Sequence, residues 1–517
     1  MSAAPSRMGI AMRFGPRAIG VMAGALAVVA APAIALAHGL SPIYESPLPL
    51  AVYLAGAAAT VALSFVFILA FDLRATPAAD RRFVRVPAAI RLALRAIGLV
   101  GWAWIMAQGI AGGSSDGAVS TLFLWVYGWV GVAILSALAF PVWEWLDPFA
   151  TLHDILAWIL RRAGVRGWPL SELPTRAMVW PATLGFAFFV WLELVAIPGI
   201  GTLTVVLAAY TALTLAMMAL FGRDQWRAQG ETFSVWFRTL NRLAPFGVVM
   251  AADAPHEHAA GAEVDAAADA EGSSPDAIDP AVIVRRPFAA GLLASTWTTP
   301  RIVLVAFAVG SIIFDGGSQT VPFAAVFGAP AVGPKTILLV VFLLLVAAAA
   351  LVVARTVSPG AIGSGLLPIA VGYLVAHYLT YLLIDGQRIV IAISDPLQRG
   401  DDLFGTAFYV PSGAWLPAGL VWTAQLASVV GGHMLGAWSG HVTAQRDMEA
   451  LAAAKPPRDI RHRKVGAVPV PRRNVRVREI PLALVMVMLT TLTLWSLGQA
   501  IVKEPATSVV PGTAASR

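Results

Sequence analysis

The chain has 517 residues, of which 58% are hydrophobic and 13% charged, with a formal net charge of +7 and no cysteine. That hydrophobic share exceeds what a soluble core requires and predicts an all-α polytopic membrane helix bundle. The missing cysteines exclude disulfides, thiolate metal sites, thiolate nucleophiles and haem attached through Cys-x-x-Cys-His, so any metal would be held by His, carboxylate, Met or backbone oxygen.

Residues 1–37 carry Arg7, Arg13 and Arg17, then the apolar run "AIGVMAGALAVVAAPAIALA", and close on Ala35-Leu36-Ala37 ahead of His38. This is the layout of a secretory signal peptide, and cleavage after Ala37 would put His38 at the mature N-terminus, on the outer face of an inner membrane. An uncleaved signal anchor is the alternative. Ten further apolar stretches approach the length of about 20 residues that crosses about 30 Å of hydrocarbon. They fall at 50–72, 92–111, 120–140, 178–198, 201–221, 298–314, 336–354, 362–384, 412–434 and 480–501.

Arg74, Arg81, Arg82, Arg85 and Arg91 follow the first stretch, Arg161, Arg162, Arg166 and Arg176 the third, and Arg223, Arg227, Arg238 and Arg242 the fifth. The intervening loops "GGSSDG", "IPGIG" and "FDGGSQTVPFAAVFGAPAVGP" have no Arg or Lys. Because cytoplasmic loops carry the basic excess, ten spans with both mature termini outside are expected. The positive charge then reflects orientation and not nucleic-acid binding.

Between the fifth and sixth stretches, "AADAPHEHAAGAEVDAAADAEGSSPDAIDP" is Ala-rich and acidic without hydrophobic periodicity, which predicts a disordered cytoplasmic linker over 251–283. The expected organisation is a five-helix half over 38–250, this linker, a second five-helix half over 284–502 and a disordered outer tail over 503–517. Two halves of opposite sense permit an inverted repeat of the transporter kind, although no internal similarity supports one. Earlier in the chain, "PVWEWLDPFATLHDILAWILRRAG" gathers Glu144, His153 and Asp154 as a candidate metal cluster. Asp147 before Pro148 offers the plainer explanation, a helix start.

Ionisable groups inside a span are costly unless they face protein, water or a partner. Glu193 in "FVWLELVAIPG" and His377 in "VAHYLTYLLIDGQ" stand at comparable depths, about 8 and 10 Å below the outer surface at about 1.5 Å per residue. Tyr373, His377, Thr380 and Tyr381 share one helix face by their spacing. Asp315, Asp385, Gln387, Asp395, Asp401 and Asp402 collect on the same outer side, joined by His38 and Glu45 if the signal is removed. Imidazole and carboxylates are the ligand set of a hydrolytic divalent metal. Helix-to-helix hydrogen bonding and a proton or ion pathway are the competing explanations. His433, Met434 and His441 of "GGHMLGAWSGH" form a second candidate metal group, at the opposite end of its span.

The stretches "AHGL", "WLELV", "FDGGSQT", "VAHYLTYLLIDGQ" and "SDPLQRGDDLFGT" resemble a group of bacterial membrane proteins named fenitrothion hydrolase. The likeness covers most of the chain outside the signal, linker and tail. It implies a membrane-embedded enzyme that hydrolyses an organophosphorus triester taken from the lipid bilayer, releases a nitrophenol and acts with a second membrane component. On that expectation His377 and Glu193 serve as metal ligands or general base. Asp315, Asp385 and His38 complete the surroundings of a divalent metal of undetermined identity, and Gln387 orients a ligand or the hydrophobic substrate. A multi-span transporter or metal-ion permease, and a scaffold subunit whose partner carries the chemistry, are the alternatives.

Overall fold

The computed structural model describes residues 82–113, 118–165, 169–250, 278–294, 296–453 and 480–497, together with Ala55 and Ala59. The expected signal peptide, His38, Glu45, most of the first predicted span, nearly all of the predicted linker and the expected C-terminal tail lie outside these residues.

The described chain is mostly helical. β1 (Arg82–Arg85) leads into α1 (Ala88–Ala111) and α2 (Val119–Leu138). The short α3 (Trp143–Leu146) and α4 (Pro148–Arg162) precede α5 (Trp180–Ala196) and α6 (Ile200–Phe221). Next come α7 (Arg223–Gln229), α8 (Thr232–Asn241), β2 (Phe246–Met250), β3 (Ile278–Arg285) and α9 (Ala290–Ala294). The last elements are α10 (Thr299–Ser318), α11 (Val321–Phe327), α12 (Val332–Thr356), α13 (Pro359–Ser394, with one tight turn at Gly386–Arg388), α14 (Ala418–Ala453) and α15 (Ile480–Leu497).

Six of these helices, α1, α2, α6, α10, α12 and α13, are long and apolar enough to cross a membrane. Helices stand at nine of the ten predicted positions, but α5 and the apolar part of α15 are shorter than a full span, and α14 is not among the six. On α14, Gln425, His433 and His441 interrupt the apolar run.

The helical expectation holds, with one small sheet beside the helices. An antiparallel sheet of order β1-β3-β2 pairs Phe83 with Val284 and Gly247 with Val284, and packs Val282 and Val284 under Phe83. β3 takes in residues 278–283 of the predicted linker, because "AVIVR" sets three β-branched residues in a row, which suits a strand.

At the centre stands α10, in which every residue from Ile302 to Phe314 is buried. A helix apolar on all sides is one surrounded by others, and α10 packs against α5, α12, α13 and α15. The tightest helix pair is α13 with α14. A Cβ on Gly436 would come within 2.3 Å of the Gly365 carbonyl oxygen, and one on Gly372 within 2.4 Å of that of Ser428. Gly432, Gly436 and Gly440 repeat every four residues along α14 and form the flat stripe that lets the two backbones meet.

The other end of α10 adjoins a network of buried ions. Glu144 on α3 accepts from Arg238 at 2.6 and 2.8 Å and from Arg227 at 3.0 Å. Asp147 caps α4 through the Phe149 and Ala150 amides and also pairs with Arg227 at 2.8 Å. Asp154 is held by Arg95 and Arg223. Of the candidate cluster, Glu144 is taken up by Arg227 and Arg238, while Asp154 pairs with Arg95 and Arg223 and has His153 at 3.6 Å. Burial alone would raise the Glu144 carboxyl, but the charges and hydrogen bonds of Arg238 and Arg227 outweigh it and hold the group at about 2. Because the folded value is depressed, this stabilisation is complete above the ordinary value of 4.5 and is lost as pH falls through about 2.

Two outcomes are expected in thermal unfolding of detergent-solubilised protein. Glu144→Gln leaves Arg238 without its carboxylate and Arg227 with Asp147 alone, costs about 3–5 kcal/mol, and removes the part of the acid-induced loss that falls between pH 4.5 and about 2. Gly436→Val forces α13 and α14 apart and costs about 1–3 kcal/mol.

Candidate functional site

Asp315 lies one turn before the end of α10, directly after the buried run. A carboxylate there has to find donors, and it finds three. His377 Nε2 stands 2.8 Å from Oδ2, the Tyr378 hydroxyl donates to the same oxygen at 3.0 Å, and Gln319 Nε2 donates to Oδ1 at 2.8 Å. Both members of the central pair keep a window to the outside, with 14% of the Asp315 side chain and 20% of the His377 side chain exposed.

An ionised carboxylate only accepts, so the His377 proton is assigned to Nε2 and the lone pair to Nδ1. That Nδ1 has no hydrogen-bond partner among the described residues. The imidazole packs edge-on against Tyr378, with ring centres 4.6 Å apart, and Tyr381 follows at 6.4 Å from Tyr378. Carboxylate, imidazole and a free ring nitrogen form the arrangement by which a histidine is held in one tautomer and kept ready to take a proton.

Glu193 approaches from α5. It sits in the wide π-helical turn Leu192–Ala196, partly buried, within electrostatic range of Asp315 and without a hydrogen-bond partner among the described residues. Ile197 then takes a left-handed backbone with φ of 39°, a strained conformation for a β-branched residue. A π turn combined with such strain often marks a position held for function.

The remaining predicted site residues stand elsewhere. Asp385 pairs with Arg388 at 3.1 Å, two turns beyond His377 and close to the surface. Gln387 anchors a loop, accepting from the Tyr409 hydroxyl at 2.7 Å and the Ser412 amide at 3.1 Å, and donating to the Leu383 and Ser412 carbonyls. Asp395 and Asp402 are bound by loop amides and by the Ser394 hydroxyl. Among the described residues no three His, Asp or Glu side chains are grouped so as to hold a metal ion, and His38 is not among those residues. His433 is fully buried between Tyr373, at 3.2 Å, and the Val429 carbonyl, while Met434 points outward and His441 meets Gln445 at 3.0 Å. The second candidate group is therefore three separate contacts.

The polar face expected on α13 divides accordingly. Tyr373 turns to α14, and the hydroxyl that reaches Asp315 is that of Tyr378, adjacent to His377 in sequence and off the predicted stripe. Gln319 escaped notice because it follows the span, yet its spacing of four from Asp315 is the spacing of helical neighbours.

A separate cavity of about 300 Å³ opens among α1, α2, α3, α4, α6 and α8, lined by Trp102, Phe123, Tyr127, Trp143, Phe149 and Phe233 among others. It is served by a different face of α2 from the one that carries Trp125 and Trp129 onto Phe189.

Comparison with protein-family models, with curated proteins and with solved structures gives no match.

Asp315→Ala is expected to leave His377, Tyr378 and Gln319 without their common acceptor and to cost about 1–3 kcal/mol. Asp385→Ala breaks a half-exposed pair and should stay within about 1 kcal/mol of the parent. Thermal unfolding of the two variants side by side measures the difference.

Proposed function

We propose that this chain is a membrane-embedded hydrolase of apolar esters in which His377 is the general base and Asp315 its orienting partner. The observation that carries this is the 2.8 Å contact of Asp315 with His377 Nε2, which leaves Nδ1 with a lone pair and a partial opening to the outside. Organophosphorus triesters with a nitrophenyl leaving group are the substrate class, on the resemblance to the fenitrothion hydrolases. Such a triester partitions into a bilayer, and a site below the membrane surface meets it there. The arginine distribution supports ten spans in an inner membrane, with this site on the outer side and water drawn from that side.

In the proposed step, His377 Nδ1 removes a proton from water while the water oxygen attacks phosphorus. The bond from phosphorus to the aryl oxygen breaks, and the nitrophenolate leaves with the electron pair. Asp315 stabilises the imidazolium that forms, and the proton then passes to bulk water. Tyr378 and Gln319 keep the carboxylate in place, and Glu193 is the remaining carboxylate within reach of the pair.

Purified protein in detergent, without any gradient, is expected to release nitrophenol from a nitrophenyl phosphotriester. His377→Ala should lower that rate by about 100-fold or more, the range of general-base catalysis, with membrane insertion intact. Undiminished hydrolysis in that variant ends the proposal. A parent protein that does not hydrolyse the ester, but moves solute into sealed vesicles, establishes transport instead.

A further inference from the structure

At the far end of α10 from Asp315, positive charge gathers, and among the described residues neither Arg242 nor Arg301 has a carboxylate at ion-pair distance. Arg238 spends Nε and Nη2 on Glu144, which also serves Arg227, and its Nη1 is buried with no partner. Arg301, in the first turn of α10, lies within electrostatic range of Arg238, and its Nε is likewise buried without a partner. Arg242, the residue that follows α8 and one turn after Arg238, stacks over Trp297 at 4.5 Å and donates to the Thr296 carbonyl at 3.1 Å. It feels both Arg301 and Arg286. Arg286 donates to the Ala244 and Asn241 carbonyls and approaches where a Cβ on Gly247 or Gly291 would stand. A carbonyl and a tryptophan face hold the Arg242 guanidinium in position, and neither neutralises it.

A buried ion without a counter-ion is among the costliest arrangements a fold can hold. Burial, then repulsion by Arg301 and Arg286, push the Arg242 guanidinium well below the usual arginine range. A guanidinium keeps its proton in a protein, so the same forces act to draw in an anion. The twenty-residue α10 begins here with no side chain capping its N-terminus, which adds a partial positive charge and free amides beside Arg301. All four arginines are partly exposed, so a ligand has access.

We infer that Arg238, Arg242 and Arg301, with Arg286 behind them, form a binding site for a phosphate-class oxyanion at the start of α10. Guanidinium forks suit tetrahedral oxyanions bidentately. The anion is either the headgroup of an acidic phospholipid or free phosphate. The charge distribution assigns this end to the cytoplasmic face, where both occur. The site is independent of the hydrolytic proposal and lies fourteen residues along α10 from Asp315, about 21 Å at about 1.5 Å per residue.

The test uses full-length protein in detergent and in phosphatidylcholine nanodiscs, with and without phosphatidylglycerol. Parent protein, Arg301→Gln, Arg242→Gln and a control, Arg355→Gln from the exposed end of α12, are compared by thermal unfolding. Inorganic phosphate is titrated in detergent, and bound lipid is counted by native mass spectrometry. The parent is expected to be stabilised by phosphatidylglycerol or by phosphate. The two cluster variants should bind at least about tenfold more weakly, the loss of one charge-assisted hydrogen bond, while Arg355→Gln binds as the parent does. Without ligand, Arg301→Gln should melt no lower than the parent, because it removes a repelled charge; an arginine with a purely structural role would lower the melting temperature. A response to phosphate in detergent identifies free phosphate as the source, and a response to phosphatidylglycerol alone identifies the headgroup. No stabilisation of the parent by either, or an equal loss in Arg355→Gln, overturns the proposal.

Discussion

A carboxylate at the end of an otherwise fully buried helix has to be satisfied locally, and the candidate site follows from that requirement. Asp315 comes directly after thirteen consecutive buried residues of α10. Its two oxygens recruit donors from the next turn of its own chain, Gln319, and from a neighbouring helix, His377 and Tyr378. The contact fixes the rotation of α13 about its axis, and α13 in turn carries the glycine-lined seam with α14. The polar centre and the tightest helix packing are two faces of one helix.

The two ends of α10 solve opposite electrostatic problems. At the Asp315 end, one negative group gathers neutral donors and leaves a ring nitrogen in reserve. At the Arg301 end, arginines outnumber the carboxylates paired with them among the described residues, and Glu144 and Asp147 tie α3, α4, α7 and α8 together around them. A rigid helix of about 30 Å, at about 1.5 Å per residue, joins the two, so a counter-ion that settles one end steadies the helix on which the other is built.

Much of the helical layout was legible in composition and run length, because an apolar stretch near twenty residues has few alternatives in a bilayer. His377 and Asp315 were legible as neighbours only in that both fall on the same outer side. Spacing along single helices could not reveal which partner each polar group would choose. Asp385 found Arg388 three residues away, Gln387 found the loop around Ser412, and His433 found Tyr373 across the seam. These are decided by the rotation of one helix against another, which leaves no trace in a single sequence. The sheet was obscured for a related reason: β1, β2 and β3 are short and far apart, and only their pairing makes strands of them. Gly432, Gly436 and Gly440 carried a readable signal in their spacing of four, overshadowed by the histidines between and beside them.

The central claim is that the Asp315 carboxylate makes a base of His377. Nitrophenol release by Asp315→Asn, measured beside the parent at equal amounts of folded protein in detergent, tests it most directly. The amide keeps a carbonyl acceptor for the neighbouring donors but cannot stabilise an imidazolium. The account predicts a folded variant whose rate falls by about tenfold or more, a loss of about 1.4 kcal/mol or more of transition-state stabilisation. A folded variant that releases nitrophenol at the parent rate would contradict it.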